Sequence, residues 1–427
     1  MALLWVGLLG GAGFAFLTQL LLVRTVPIAD MGAMAGVLSL TLLAMPAAEF
    51  GIAALWLRIF AKYRQSAFCW IKPTLRIFVL TSTATLLLLL LIGHNAWNDQ
   101  HQRQLLYWLL PLPVMEALVV IAGARLQLEG RYRILAVWRA LPKFTRLAVV
   151  IGAWVLGADI STIAIGYCLT SLLVLVLALS QLASMMNGSA KLELPAATPV
   201  QAISTPTSRG VLAQAWPFAM GNIFSLIYLQ SDIFMLSAMH DTESTALYNV
   251  AFSIIALVYL LPTAIFNQFL LPRYHRWAEY DHDKLLRAYR LGNGAMIVIG
   301  LVVMLSLIAI APFLVEFFFG ATYSAAGYVV QTLALCVPFR YLASSIGNCL
   351  VTQDHMRKKM TYQMTVAVLN VGLNLILIPN YGMHGAAWAT VLSELALCLL
   401  YLMGVKNHIF GSQALRGWTL NYRTMLR

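Results

Sequence analysis

Apolar residues run along this chain in long blocks rather than in the alternation of half-buried strands. The block at 78–92 is interrupted only by Ser and Thr, and the block at 296–312 only by Ser306. A helix needs roughly 20 apolar residues to cross the hydrocarbon core of a bilayer. In lipid every backbone N–H and C=O must be paired inside the protein, which leaves helices or closed barrels. Barrel strands would alternate apolar and polar positions, and these blocks do not. The pattern therefore predicts helices near 1–23, 33–56, 74–93, 105–124, 144–157, 161–183, 212–238, 245–271, 291–313, 325–350, 361–379 and 384–405. The fifth is short as drawn and begins nearer Ala136 if Pro142 is tolerated inside it. The fold class expected is an all-α membrane protein of about twelve transmembrane helices.

The polar segments give the organisation. The longest, 184–209, contains Asn187-Gly188-Ser189, Pro195, Pro199 and Thr205-Pro206-Thr207. Such Pro, Ser and Thr content reads as a linker. Six expected helices precede it and six follow, so the two halves enter the membrane in the same orientation, as in a parallel repeat. The expected division is a first six-helix lobe over 1–183, a cytoplasmic linker over 184–209, a second six-helix lobe over 210–405 and a cytoplasmic tail over 406–427. The first apolar block lacks a basic leader and a small-residue cleavage site, and is expected to be a retained helix.

Composition agrees: 61% of residues are hydrophobic and 10% charged, where soluble domains carry about 25% charged. The net charge of +12 does not indicate nucleic acid, because of where the cations fall. All Lys and Arg except Arg24, Arg103 and Arg340 lie in alternate loops and the tail. This is the positive-inside pattern, and it places both termini in the cytoplasm. The five cysteines are scattered with no C-x-x-C pair, which supports neither a disulfide framework nor a zinc site. No P-loop, G-x-S-x-G elbow or metal-spaced histidines occur. The expected external loops are short, which disfavours an integral-membrane enzyme working on an external face.

Candidate chemistry lies in ionisable groups inside apolar helices: Glu49, Glu116, Asp232, Arg340 and Glu394, with Arg24 at the end of the first helix. A charge at mid-membrane costs at least about 2.5–3.5 kcal/mol, so such groups face a bundle interior or a wet cavity. Helical spacing groups them. Arg340, Ser344, Asn348 and Thr352 recur every four residues, and Gly221, Ser225, Tyr228 and Asp232 share another face. Gln363, Asn370 and Asn374 form a third stripe, Thr390 and Glu394 a fourth. Asp232, with Glu394, is a candidate to bind a coupling proton or sodium ion; the plainer reading is an ion pair with Arg340. Glu49 and Glu116 are as well read as structural. Gly7 and Gly11 make a close-packing step, and no cofactor is expected.

Several ordered stretches resemble the multidrug/oligosaccharidyl-lipid/polysaccharide exporter superfamily, and within it the Wzx-type polysaccharide flippases. They are Glu49-Phe50-Gly51-Ile52 with Arg58, Ser231-Asp232-Ile233-Phe234-Met235-Leu236, and Ala246-Leu247-Tyr248-Asn249-Val250-Ala251 with Leu271-Pro272-Arg273. Phe319-Gly320-Ala321-Thr322-Tyr323 and Pro379-Asn380-Tyr381-Gly382-Met383-His384-Gly385-Ala386-Ala387 complete the set. The resemblance implies two six-helix lobes around a central cavity that opens to each side in turn. It implies as cargo an undecaprenyl-diphosphate-linked oligosaccharide (an O-antigen, capsule or exopolysaccharide repeat), flipped from the cytoplasmic to the periplasmic leaflet of a bacterial inner membrane. Peptidoglycan-precursor flippases of the superfamily carry two further helices. Given a diphosphate cargo, Arg340 and Arg24 are the candidate phosphate ligands, and Ser344, Asn348, Asn370 and Asn374 the candidate sugar ligands. Membrane lipids and other polysaccharide-assembly proteins are the candidate partners. The rival readings are a multidrug, organic-cation antiporter, whose cavity should be acidic and aromatic, and an enzyme of polysaccharide assembly.

Overall fold

The computed structural model describes residues 2–188, 205–263, 266, 270–351 and 356–418. Residues 189–204 of the expected linker, Thr352 of the Arg340 stripe and 419–427 of the expected tail lie outside these. Among the described residues there is no strand. Among the same residues seven helical stretches are long and apolar enough to cross a membrane, eight if the bent pair Ala326–Ala334 and Cys336–Cys349 counts as one more.

Contacts divide the chain into two compact units, Met1–Phe234 and Met235–Arg427. The first contains α1 (Ala2–Thr25), α2 (Ile28–Glu49), α3 (Ile52–Tyr63), α4 (Ile71–Ala96), α5 (Gln100–Leu109), α6 (Pro111–Leu128), α7 (Tyr132–Leu156), α8 (Ile160–Met186) and most of α9 (Ser208–Met239). Here α1 packs along α7, α6 along α8, and α2 against both α4 and α6. Outward-facing Val79, Leu80, Leu87, Leu88 and Leu91 on α4 are exposed, as are Leu172, Leu173 and Val176 on α8. Exposed rows of this kind are what lipid as solvent demands, since apolar surface there has no water to avoid.

The sequence predicts one helix over 33–56, and the structure breaks it. Phe50 and Gly51 both take left-handed backbone, φ 49° and 70°, between α2 and α3. The cause is the close passage of α9: a Cβ on Gly51 would stand 2.7 Å from the backbone nitrogen of Ala219. Only glycine combines that φ with that approach. Around the break, Phe50 meets Trp216, and further along Trp97 meets Phe234 edge-on. These contacts tie α9 to the first unit as far as Phe234.

The second unit contains α10 (Thr242–Val258), α11 (Leu260–Thr263), α12 (Leu271–Tyr280), α13 (His282–Phe319), α14 (Ala326–Ala334), α15 (Cys336–Cys349) and α16 (Met356–Val405). α13 packs against α14 and α15, α15 against α16, and α10 against α14. The two helices expected at 361–379 and 384–405 are both present within α16 and meet at a kink at Gly382, whose φ 52° and ψ −131° are non-helical. The imidazole of His240 fills the space a side chain there would need, with Nε2 2.9 Å from the Cβ position.

Candidate functional site

α15 and α16 meet closely because Gly347 leaves room for a ring: a Cβ there would lie 2.7 Å from Cε2 of Tyr401. This contact places the polar stripe of α15 beside that of α16. Arg340 Nη1 donates to Glu394 Oε1 at 3.3 Å. Glu394 is 1% exposed, while the Arg340 side chain keeps 23% of its surface. The guanidinium carbon lies 5.1 Å from the ring centre of Tyr259, within cation–π range. Lys359, near the start of α16, is close enough to Arg340 for mutual repulsion. Its ammonium sits 5.9 Å from the Tyr401 ring centre, and Tyr362 packs on Tyr401 in turn.

Two cations, Arg340 and Lys359, thus stand near Glu394 within a low-dielectric helix bundle. Cations so placed favour an anion. A guanidinium suits a diphosphate in particular, because it stays charged when desolvated and can bind two phosphate oxygens at once.

Asn370 and Asn374, fully buried on α16, are joined by a bond from Asn374 Nδ2 to Asn370 Oδ1 at 3.2 Å. Ser344 and Asn348 are on α15 as expected, but their donors turn back on their own helix. Ser344 Oγ donates to Arg340 O at 2.8 Å and Asn348 Nδ2 to Ser344 O at 2.7 Å. In this state they offer a hydroxylated ligand chiefly acceptor atoms. Thr390 hydroxyl pairs with Tyr248 OH at 3.1 Å and also donates to Ala386 O.

The other expected site residues lie in the first unit. Asp232 is buried on α9, 2% exposed, beside buried Ser231 and one turn from Tyr228. Arg24 is exposed in the last turn of α1, where a cation suits the helix C-terminus.

Glu49 and Glu116 have structural employment. The Glu49 carboxylate accepts from the N–H of Gly51 at 2.9 Å and of Ala53 at 2.7 Å. It thereby satisfies donors that the break would leave orphaned at the start of α3. Glu116 pairs with Arg146 at 2.5 Å, joining α6 to α7.

Lys359 is the site residue that sequence reasoning missed, since Arg357-Lys358-Lys359 reads as a basic loop. A usable signal existed: Lys359 stands four residues before Gln363, on the face of Asn370 and Asn374.

Solved structures share this fold. A lipid II flippase, MurJ, in an inward closed conformation, has a TM-score of 0.71 at 16% identity, covering 95% of this chain and 88% of that one. An inward-facing multidrug resistance MATE transporter has a TM-score of 0.70 at 13% identity, covering 93% and 94%. A MOP-superfamily transporter from Pyrococcus furiosus, described as having a binding pocket of reverse polarity, has a TM-score of 0.65 at 13% identity, covering 97% and 95%. The chain therefore shares the fold of these multi-pass membrane transporters. It belongs to the polysaccharide biosynthesis protein family, whose model matches residues 1–277. A Shigella dysenteriae protein named "Putative O-antigen transporter" is 22% identical over 199 residues, which span 46% of this chain and 48% of that protein. The chain thus aligns with about half the length of this curated relative. The resemblance to Wzx-type flippases read from the ordered motifs agrees with these findings.

Proposed function

We propose that this protein flips an undecaprenyl-diphosphate-linked oligosaccharide from the cytoplasmic to the outer leaflet of a bacterial inner membrane by alternating access. The observation that carries the reading is Arg340 inside the helix bundle, its side chain 23% exposed although it meets Glu394, with the cation Lys359 near enough to act on it. A drug antiporter for organic cations would favour the opposite sign. Membership of a polysaccharide biosynthesis family and likeness to an O-antigen transporter support the cargo class.

In this reading Arg340 takes the diphosphate, with Arg24 as a second cation nearer the outer mouth. Asn370 and Asn374, with the acceptor atoms of Ser344 and Asn348, face sugar hydroxyls. Asp232 and Glu394 bind the proton or sodium ion that resets the cycle. The architecture proposed is twelve spans in two six-helix lobes, 1–183 and 210–405, joined through a linker at 184–209, with both termini cytoplasmic. Other polysaccharide-assembly proteins would supply the cargo and take it onward.

The test is leaflet-resolved transport of a defined lipid-linked oligosaccharide in proteoliposomes containing the purified chain. Movement of the lipid-linked sugar supports the reading. Movement of an organic cation without it would install the antiporter reading, and chemical turnover of the sugar lipid would install an enzyme.

A further inference from the structure

A second cationic feature stands outside the cluster just described, at one membrane–water boundary of the first unit. The start of α4 and the end of α8 enclose an open cavity of about 480 Å³. Lys72 and Arg76 line it from α4, Asn187 and Thr205 add neutral polar groups, and Met185 supplies apolar wall. Lys72 and Arg76 are exposed, and among the described residues neither has a carboxylate in ion-pair range. They lie four residues apart, so they share one helix face and repel each other. An anion between them removes that repulsion. Among the described residues no Asp or Glu lines the cavity.

The negative end of α8 is muted there. The N–H of Asn187 takes Ala183 O, and the N–H of Gly188 takes Met185 O. From this mouth the exposed apolar rows lead away along both helices, through Val79 and Leu80 on α4 and Leu179 and Val176 on α8. Cationic head, apolar wall and lipid-facing rows match the parts of a phospholipid in order.

We infer that this cavity binds the headgroup of an anionic phospholipid, its phosphate between Lys72 and Arg76 and its acyl chains along α4 and α8. The side concerned is the cytoplasmic one in the topology proposed above, but the assignment needs only that the chain spans a membrane. Each cation near an anionic headgroup contributes roughly fivefold in affinity, so the pair supplies about 25-fold.

Cys69 lines the same cavity and reports on it. Cys336, Cys349 and Cys398 are buried, so replacing Cys168 by Ser leaves Cys69 as the accessible thiol. In phosphatidylglycerol-containing liposomes maleimide labelling of Cys69 should be several-fold slower than in pure phosphatidylcholine. Lys72→Gln with Arg76→Gln should abolish that difference. Native mass spectrometry of the full chain should show the same double substitution losing one retained phosphatidylglycerol, with phosphatidylcholine retention unchanged. The first comparison needs no substitution in the cavity, so a misfolded variant does not blunt it. Equal labelling in the two lipids, or protection that survives both substitutions, overturns the inference. Equal protection by soluble glycerol phosphate in phosphatidylcholine would make this a site for free anions and overturn the lipid assignment.

Discussion

The two units handle buried charge differently. In the first, Asp232 aside, the buried charges are matched locally. Glu49 rests on two backbone N–H groups, and Glu116 on Arg146. Arg125 donates from Nε to Glu129 at 2.9 Å and from Nη1 to Gln181 Oε1 at 2.8 Å. These are staples: each joins helices or closes a helix end. In the second unit Arg340 meets Glu394 across 3.3 Å, with the cation Lys359 close by and 23% of the Arg340 side chain exposed. A staple closed between helices has little left for a ligand. At Arg340 a second cation stands near the pair deep in the bundle, and perturbed charges so placed are where function is first sought. The difference teaches that burial alone does not separate structural from functional charge; the neighbours of each charge must be read too.

The largest effect should come from breaking the Arg340 cluster. Arg340→Ala removes a guanidinium from a 1%-exposed carboxylate and should destabilise the protein by roughly 2–5 kcal/mol. It should also abolish flipping. Combining it with Glu394→Gln should recover most of the stability, read by thermal unfolding in detergent, without recovering flipping. Arg340→Lys keeps the charge and should retain stability, yet flip slowly because an ammonium lacks the two-pronged geometry. Wild-type transport in the double substitution would reduce Arg340 to a staple like Arg146.

Carboxylates sharpen the same comparison. Glu49→Gln should cost about 1–2 kcal/mol, since an amide oxygen accepts from Gly51 and Ala53 less strongly than a carboxylate. The folded fraction should flip normally. Asp232→Asn should instead leave folding nearly intact and slow cycling, with loss of its ion dependence. Glu394→Gln should affect cycling in the same way but also cost stability, because it removes the carboxylate that Arg340 meets. Transport assays against proton and sodium gradients decide this. If Glu49→Gln alters ion dependence while the other two do not, the division between staple and site is misplaced.

Much of this was legible in the sequence, and what was not has physical causes. Apolar blocks announce helices because lipid leaves the backbone few alternatives. The α15 stripe was readable because period 3.6 puts Arg340, Ser344 and Asn348 on one face. The break at Phe50 and Gly51 was hidden, since its cause is α9, well over a hundred residues further on. Gly51 marked the place without stating the reason. Glu49 read ambiguously because a carboxylate at a concealed helix start looks like a carboxylate in mid-membrane. The backbone bonds of Ser344 and Asn348 were also beyond reach, as spacing fixes a face but not where a donor turns.

The smallest effect separates two helix caps that sequence alone makes alike. Asp159 caps α8 in the first unit, accepting from the Thr162 N–H. Asp241 caps α10 in the second, accepting from the Ser244 N–H. Hydrogen bonds from the Thr162 side chain and backbone hold the Asp159 carboxyl below the ordinary aspartate range. At Asp241 burial pushes upward, but the Ser244 bonds and neighbouring His240 outweigh it, and the net direction is again down. A carboxyl depressed on folding stabilises above its unfolded pKa and loses that contribution as pH falls through the folded one. Both caps should therefore stay at full strength from neutral pH to about 5, well above the unfolded aspartate value of about 3.9. Asp159→Ala and Asp241→Ala should each cost about 1 kcal/mol, the usual worth of an N-cap. The difference lies in what else moves. Asp241 also pairs with His240, and His240 fills the space at the Gly382 break of α16, the helix that carries Glu394. Asp241→Ala should therefore alter the mobility of a spin label near Gly382, while Asp159→Ala leaves it unchanged. Equal behaviour of that label in both variants would show that Asp241, like Asp159, serves only as a cap.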